Sequence, residues 1–247
     1  MTELRVLALA GIPEVTDGDR LGELIAARAE LEGGDVVVIS QKVVSKAEGR
    51  VVDLSAVQPS DRAVRLAAEL GKDPALVQLV LDESNEVIRA ERGVLICETR
   101  HGLVCANAGV DTSNVGDAMA ALLPLDPDAS ARQIRAELRD ASGVTAAVVV
   151  ADSFGRAWRR GQSEVAIGCA GLHPMDDWRG RTDASGKALS ATLIAIADEA
   201  AGAADLVRDK SSRVPAAIVR GLARHVSDDD GPGAIAIRRS RDEDLFR

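Results

Sequence analysis

The sequence contains no tyrosine, and only two phenylalanines and two tryptophans among its 247 residues. Its core must therefore be built from valine, leucine, isoleucine and alanine, and at 46% apolar composition there is enough apolar side chain to bury a full core. No apolar run approaches the roughly 20 residues that span a bilayer. The opening stretch MTELRVLALAGIPE has an acidic residue before a short apolar run and no small-residue cleavage site, so Leu4–Ala10 reads as a first strand rather than a secretion signal. Cysteine is scarce and odd in number. Cys97, Cys105 and Cys169 lie in apolar runs, none at metal-ligand spacing, which reads as buried reduced thiols in a cytoplasmic protein. Basic residues are outnumbered 30 to 39, a net charge of −9, so the surface as a whole repels nucleic acid and acidic membrane. Familiar fingerprints are missing as well. There is no G-x-G-x-x-G and no H-E-x-x-H. The stretch GRTDASGKA (180–188) fails as a phosphate loop: five residues separate its glycines, Ala188 replaces Ser or Thr, and no apolar strand precedes it. His101, His173 and His225 are scattered and read as structural.

What is present is an irregular alternation of apolar β-branched runs with amphipathic stretches. Strands are expected at Arg5–Leu9, Asp35–Ile39, Gly93–Glu98, Leu103–Asn107, Val144–Ala151, Val165–Gly168 and Ala234–Ile237. A helix is signalled by the cap-like pair Thr16 and Asp19, with Leu21, Leu24, Ile25 and Leu31 on one face, Arg28 intruding on it, and Gly33 able to close its end. A second helical region covers Asp61–Leu81, broken near Gly71–Pro74. A third follows Asp128 or Ser130, and the longest is expected over Ala188–Val207. The tight link between Gly93–Glu98 and Leu103–Asn107 favours antiparallel pairing. The chain thus reads as α+β, with mixed, largely antiparallel sheets and packed helices in a single domain (1–247) or two interlocked lobes.

Two segments carry the chemistry: CANAGVDTSNVG (105–116) and VVVADSFGR (148–156). Each begins as a buried strand and ends in an aspartate, Asp111 or Asp152, followed by hydroxyl residues and glycine. Hard cations such as Mg²⁺ or Mn²⁺ take oxygen ligands, commonly one or two carboxylates with substrate phosphates. The same residues serve equally as turn or helix-cap chemistry, and the residues alone leave both readings open. Next to Asp152, GRAWRRGQ (155–162) sets three arginines in an acidic chain and reads as an anion site against the alternative of a solvated loop. In SQKVVSKAEGR (40–50), Lys42 and Lys46 can neutralise phosphate. Gly11–Glu14 is a turn after the first strand.

Taken in order, GIPEV, SQKVVSKAEGR, HGLVCANAGVDTSNVG, VVVADSFGRAWRRGQSEVAIG and DLVRDKSSRVPAAIVRGL resemble the coenzyme F420-0:γ-glutamyl ligase family along essentially the whole chain. The similarity is to single-domain members and to the N-terminal half of two-domain members, whose nitroreductase-like C-terminal domain has no counterpart here. The resemblance implies an intertwined homodimer of the family's fold, and the two-step ligation of L-glutamate through γ-linkage to coenzyme F420-0 by way of an acyl phosphate. GTP would be the co-substrate, with Mg²⁺ or Mn²⁺ required and K⁺ as an activator. By the same resemblance Asp111, Asp152 and Ser153 would ligate metal, and Asp111, Asp152 and Lys46 would carry catalysis. Gly11, Ile12, Pro13, Glu14, Gln41, Lys42, Lys46 and Asn114 would line the nucleotide site, and the segment Arg208–Pro215 would reach it too. That segment departs from the family pattern: Asp209 stands where glycine is expected, and Lys210 cannot ligate a metal as an ammonium, so it is expected on phosphate instead. Rival readings are an amide ligase for another acid and a nucleotide-binding regulator without turnover.

Overall fold

The computed structural model describes residues 3–209 and 211–245. Its centre is a five-stranded sheet made of β1 (Arg5–Leu9), β2 (Val36–Ser40), β8 (Ala147–Gly155), β9 (Gln162–Ala170) and β12 (Ala216–Arg220), in the order β1-β12-β2-β8-β9. β2 and β8 run parallel, and every other neighbouring pair is antiparallel. The runs VVVI and AVVVA are buried because both faces of these strands are covered. One face packs on α1 (Leu21–Ala26) and α5 (Pro127–Ser142), the other on α6 (Ile196–Asp205).

A third apolar cluster fills a neighbouring region. It joins α3 (Asp61–Leu70) and α4 (Pro74–Asp82) to an antiparallel sheet of β4 (Ser84–Glu91), β5 (Val94–Thr99) and β6 (Val104–Ala106). α2 (Gln41–Ala47) follows β2 without a break, and β3 (Val51–Asp53) then pairs antiparallel with β7 (Met119–Ala121), linking the two regions.

The α+β architecture agrees with the expectation from sequence, as do the break between α3 and α4 and the antiparallel β5–β6 pair. Ser60 and Asp73 cap the two helices, accepting hydrogen bonds from Ala63 N and from Ala75 N and Leu76 N, and Gly71 closes the first in the left-handed conformation.

Several boundaries differ from expectation. The first helix stops at Ala26, well before Gly33, which leaves Arg28 exposed and off the apolar face. Thr16 and Asp19 do bond, with Thr16 N and Oγ1 both donating to Asp19, but they form a turn ahead of the helix. The helix expected over Ala188–Val207 begins only at Ile196. Residues 188–194 instead fold back on 176–182 as a hairpin, with β10 (Asp176–Asp177) paired to β11 (Leu193–Ile194) and Leu189 bonded to Gly180 and Arg181. Ala234–Ile237 is a 3₁₀ turn rather than a strand, because the Asp128 carboxylate accepts from Ala234 N at 2.7 Å and Ile235 N at 3.3 Å.

Candidate active site

Strand register decides where the candidate residues meet. Leu9, Ala216, Ile39 and Val150 stand in one row across β1, β12, β2 and β8. Beyond that row, at the same rim, lie Gly11–Glu14 after β1, the segment leading into Ala216 before β12, Gln41 and Lys42 after β2, and Asp152 on β8. The rim therefore gathers segments some 200 residues apart in sequence (Gly11 and Pro215), at the carboxyl ends of the one parallel pair, where ligands commonly bind in open sheets.

β8 does not end at Ala151 as its sequence implied. It runs on through Asp152, Ser153 and Phe154 to Gly155, paired with β9, and burial falls from complete at Ala147–Ala151 to half at Asp152–Phe154. Ser153 stands opposite Glu164 in this pairing, and its Oγ donates to Glu164 Oε1 at 2.6 Å. Glu164 is itself buried and accepts at 3.3 Å from Nη2 of the buried Arg208. Arg208 Nη1 donates to the Pro215 carbonyl, while its Nε is buried with no hydrogen-bond partner among the described residues.

Asp111 reaches the rim from the other region. Its backbone exchanges both hydrogen bonds with Ala121 of β7, and β7 is held by β3, which α2 leads into. Lys42 Nζ on α2 lies 2.7 Å from Asp111 Oδ2 and donates to Ser113 Oγ at 2.6 Å, while Ser113 N and Oγ donate to the Asp111 carboxylate. One helical turn on, Lys46 Nζ pairs with Glu14 of the irregular segment after β1. α2 thus ties Gly11–Glu14 to Asp111 through two lysines at i and i+4.

The electrostatics of the two aspartates differ sharply. Burial acts to raise the Asp111 carboxyl, but hydrogen bonds from Lys42 and Ser113 outweigh it and hold the group below its ordinary value. Asp152 is pushed up to about 7, first by burial and then by the like charges of Glu164 and Asp111; the Ser153 N–H and Lys42 oppose the shift incompletely. The two aspartates are close enough to feel one another's charge.

Residues 11–221 match the F420-0:Gamma-glutamyl ligase family. The chain belongs to that family. Along its whole length it is similar to the coenzyme F420:L-glutamate ligases of Methanothermobacter thermautotrophicus (42% identical, 99% of each chain) and Methanopyrus kandleri (43%, all of each chain). It is 41% identical to the corresponding protein of Archaeoglobus fulgidus, over 99% of this chain and 96% of that one. A member of this family is a ligase that forms a carbon–nitrogen bond.

The donors at the rim of this ligase fit a hard cation. Asp111, Asp152, Glu164, Ser113 and Ser153 offer oxygen only, and a cation would offset the burial and like charge that raise Asp152. Among the described residues no three His, Cys, Asp or Glu side chains form a closed cage. A metal there would rest on one or two carboxylates and fill its shell from water and phosphate, as Mg²⁺ commonly does.

Other expected residues are placed unevenly. Gln41 is buried and its Oε1 accepts from Ser45 Oγ, so it props α2 from beneath. Ile12 packs on the core, whereas Gly11, Pro13 and Glu14 are exposed in an irregular segment rather than the expected turn. Asn114 stands in an exposed loop in the left-handed conformation (φ 57°). Lys210 lies outside the described residues. The residue that sequence reasoning missed is Glu164, although a charged side chain in the apolar run SEVAIG was a visible signal. The three cysteines are free and buried, and no described helix is long and apolar enough to cross a membrane.

Proposed function

We propose that this enzyme joins L-glutamate through γ-linkage to coenzyme F420-0, using GTP and Mg²⁺ or Mn²⁺, and that it works as a homodimer. The observation that carries the reading is the convergence of Asp111 and Asp152 at one rim with two lysines, in a chain 41–43% identical to several coenzyme F420:L-glutamate ligases. The potassium activator rests on resemblance alone.

In this reading a carboxylate oxygen of F420-0 attacks the γ-phosphorus of GTP. The bond to the bridging oxygen breaks, GDP leaves, and an acyl phosphate remains. The amine of glutamate then attacks the acyl carbon, the carbon–oxygen bond to phosphate breaks, and the amine's proton passes to solvent. Such chemistry asks the protein for position and charge rather than covalent bonds. Lys42 and Lys46 are ammonium groups held by Asp111 and Glu14. An arriving phosphate would compete for both and free the Asp111 carboxylate for the cation. Arg208, with an unsatisfied Nε, supplies a fixed donor behind Glu164. The metal, when bound, neutralises phosphate charge in the transition state.

The test is mass spectrometry of a panel of acids incubated with the protein, L-glutamate, a divalent cation and either GTP or ATP. F420-0 should gain glutamate units, and GTP should support this far better than ATP. Glutamylation of a different acid in preference to F420-0 would replace the substrate. GTP held without release of GDP would replace the enzyme with a binding module.

A further inference from the structure

The β8–β9 hairpin carries Asp152, Ser153 and Glu164 on its two strands and continues past them to a tip at 156–161. That tip is unusual in three respects. Trp158 is 81% exposed, although a ring of its size is on average highly buried. It also adopts φ 60°, a left-handed conformation that costs free energy for a bulky residue, while the ordinary solution at such a position is glycine or asparagine. Finally, Arg156, Arg159 and Arg160 flank it in sequence, in a chain of net charge −9. The tip is held in shape: Arg156 Nη2 donates to the Arg160 carbonyl at 3.0 Å, and Gly161 follows at φ 87°. An exposed indole on a loop rich in arginine suits a planar ring that carries an anionic chain.

We propose that this tip holds the ring end of the acid substrate, with Trp158 as a stacking platform and Arg159 and Arg160 as partners for an anionic group on its chain. The inference rests on the ligase reading above and assigns a binding subsite to its acid substrate, a planar heteroaromatic ring bearing a flexible anionic chain that ends in the reacting carboxylate. F420-0 fits that description. Two geometric facts favour the acid over the nucleobase. The lysines and the Gly11–Glu14 segment lie on the β1–β2 side of Asp152, whereas β9 is the opposite edge of the sheet. At about 3.3 Å per strand residue, the tip stands roughly 10–15 Å beyond Asp152, the span between a ring and a carboxylate at the end of a phosphorylated polyol chain.

The experiment compares wild type, W158F and W158A in the full chain. KM is measured separately for F420-0, GTP and L-glutamate, and F420-0 is titrated without GTP or metal to give a dissociation constant. W158A should weaken F420-0 binding and raise its KM on the order of tenfold, leaving KM for GTP and glutamate unchanged, with W158F restoring most of the loss. If W158A binds F420-0 as tightly as wild type, or if KM for GTP rises instead, the proposal is wrong while the ligase reading stands. A wild-type protein that neither binds nor glutamylates F420-0 overturns both.

Discussion

At the scale of single residues, Asp152 is where fold and chemistry conflict. Its carboxyl titrates near 7 in the fold against about 4 in an unfolded chain, so the fold favours the protonated form. The stability this allows is full below about pH 4 and is lost as pH rises through about 7. Metal-free protein at pH 8 therefore carries a charge that the fold resists, and Asp152→Asn removes it. In chelator, D152N is expected to be more stable than wild type by about 1–3 kcal/mol at pH 8, with the advantage shrinking toward pH 5. Urea unfolding at the two pH values measures this, and an equal difference at both would show that Asp152 does not titrate in that window. Asp111 has the opposite character, because Lys42 and Ser113 keep it ionised. In the proposed site one carboxylate is ionised but held by Lys42, while the other would gain from a cation.

At the scale of elements, close approach between β9 and the start of α5 sets the sheet–helix spacing. A Cβ placed on Gly168 would meet the Pro127 carbonyl oxygen at 2.2 Å, a backbone atom that cannot step aside. Gly168→Ala should therefore cost about 2–4 kcal/mol of stability, read as a fall in the urea midpoint with an unchanged slope. A loss under 0.5 kcal/mol would mean that α5 can shift freely.

Much at this scale was legible in sequence, because the central strands are uninterrupted β-branched runs and the breaks at Gly71 and Pro74 are strong local signals. What was not legible was decided by partners distant in sequence. The segment 188–194 has helical composition but spends its hydrogen bonds on the strand before it. Ala234–Ile237 looks like a strand until Asp128, more than a hundred residues earlier, takes its amides. The site divides in the same way. Both aspartates announced themselves as polar ends of apolar runs. Glu164 joins the site because strand register sets it opposite Ser153, and no spacing along the chain reveals register.

At the scale of the whole molecule, the proposed homodimer should form in solution at micromolar concentration. Light scattering should give twice the 25.8 kDa chain mass, and a monomer mass would count against it. The central claim is that Asp111 and Asp152, about forty residues apart in sequence and carried by different sheets, act together on the phosphates of the nucleotide. Turnover of Asp111→Asn and Asp152→Asn, measured as GDP release with F420-0, L-glutamate and a titrated divalent cation, tests it most directly. Each variant should lose activity on the order of a hundredfold or more while remaining folded, because an amide cannot replace a carboxylate's charge at a divalent ion. Asparagine is about as good a cap as aspartate, so near-normal turnover with ordinary metal dependence in both variants would make these residues turn formers and put the metal site elsewhere.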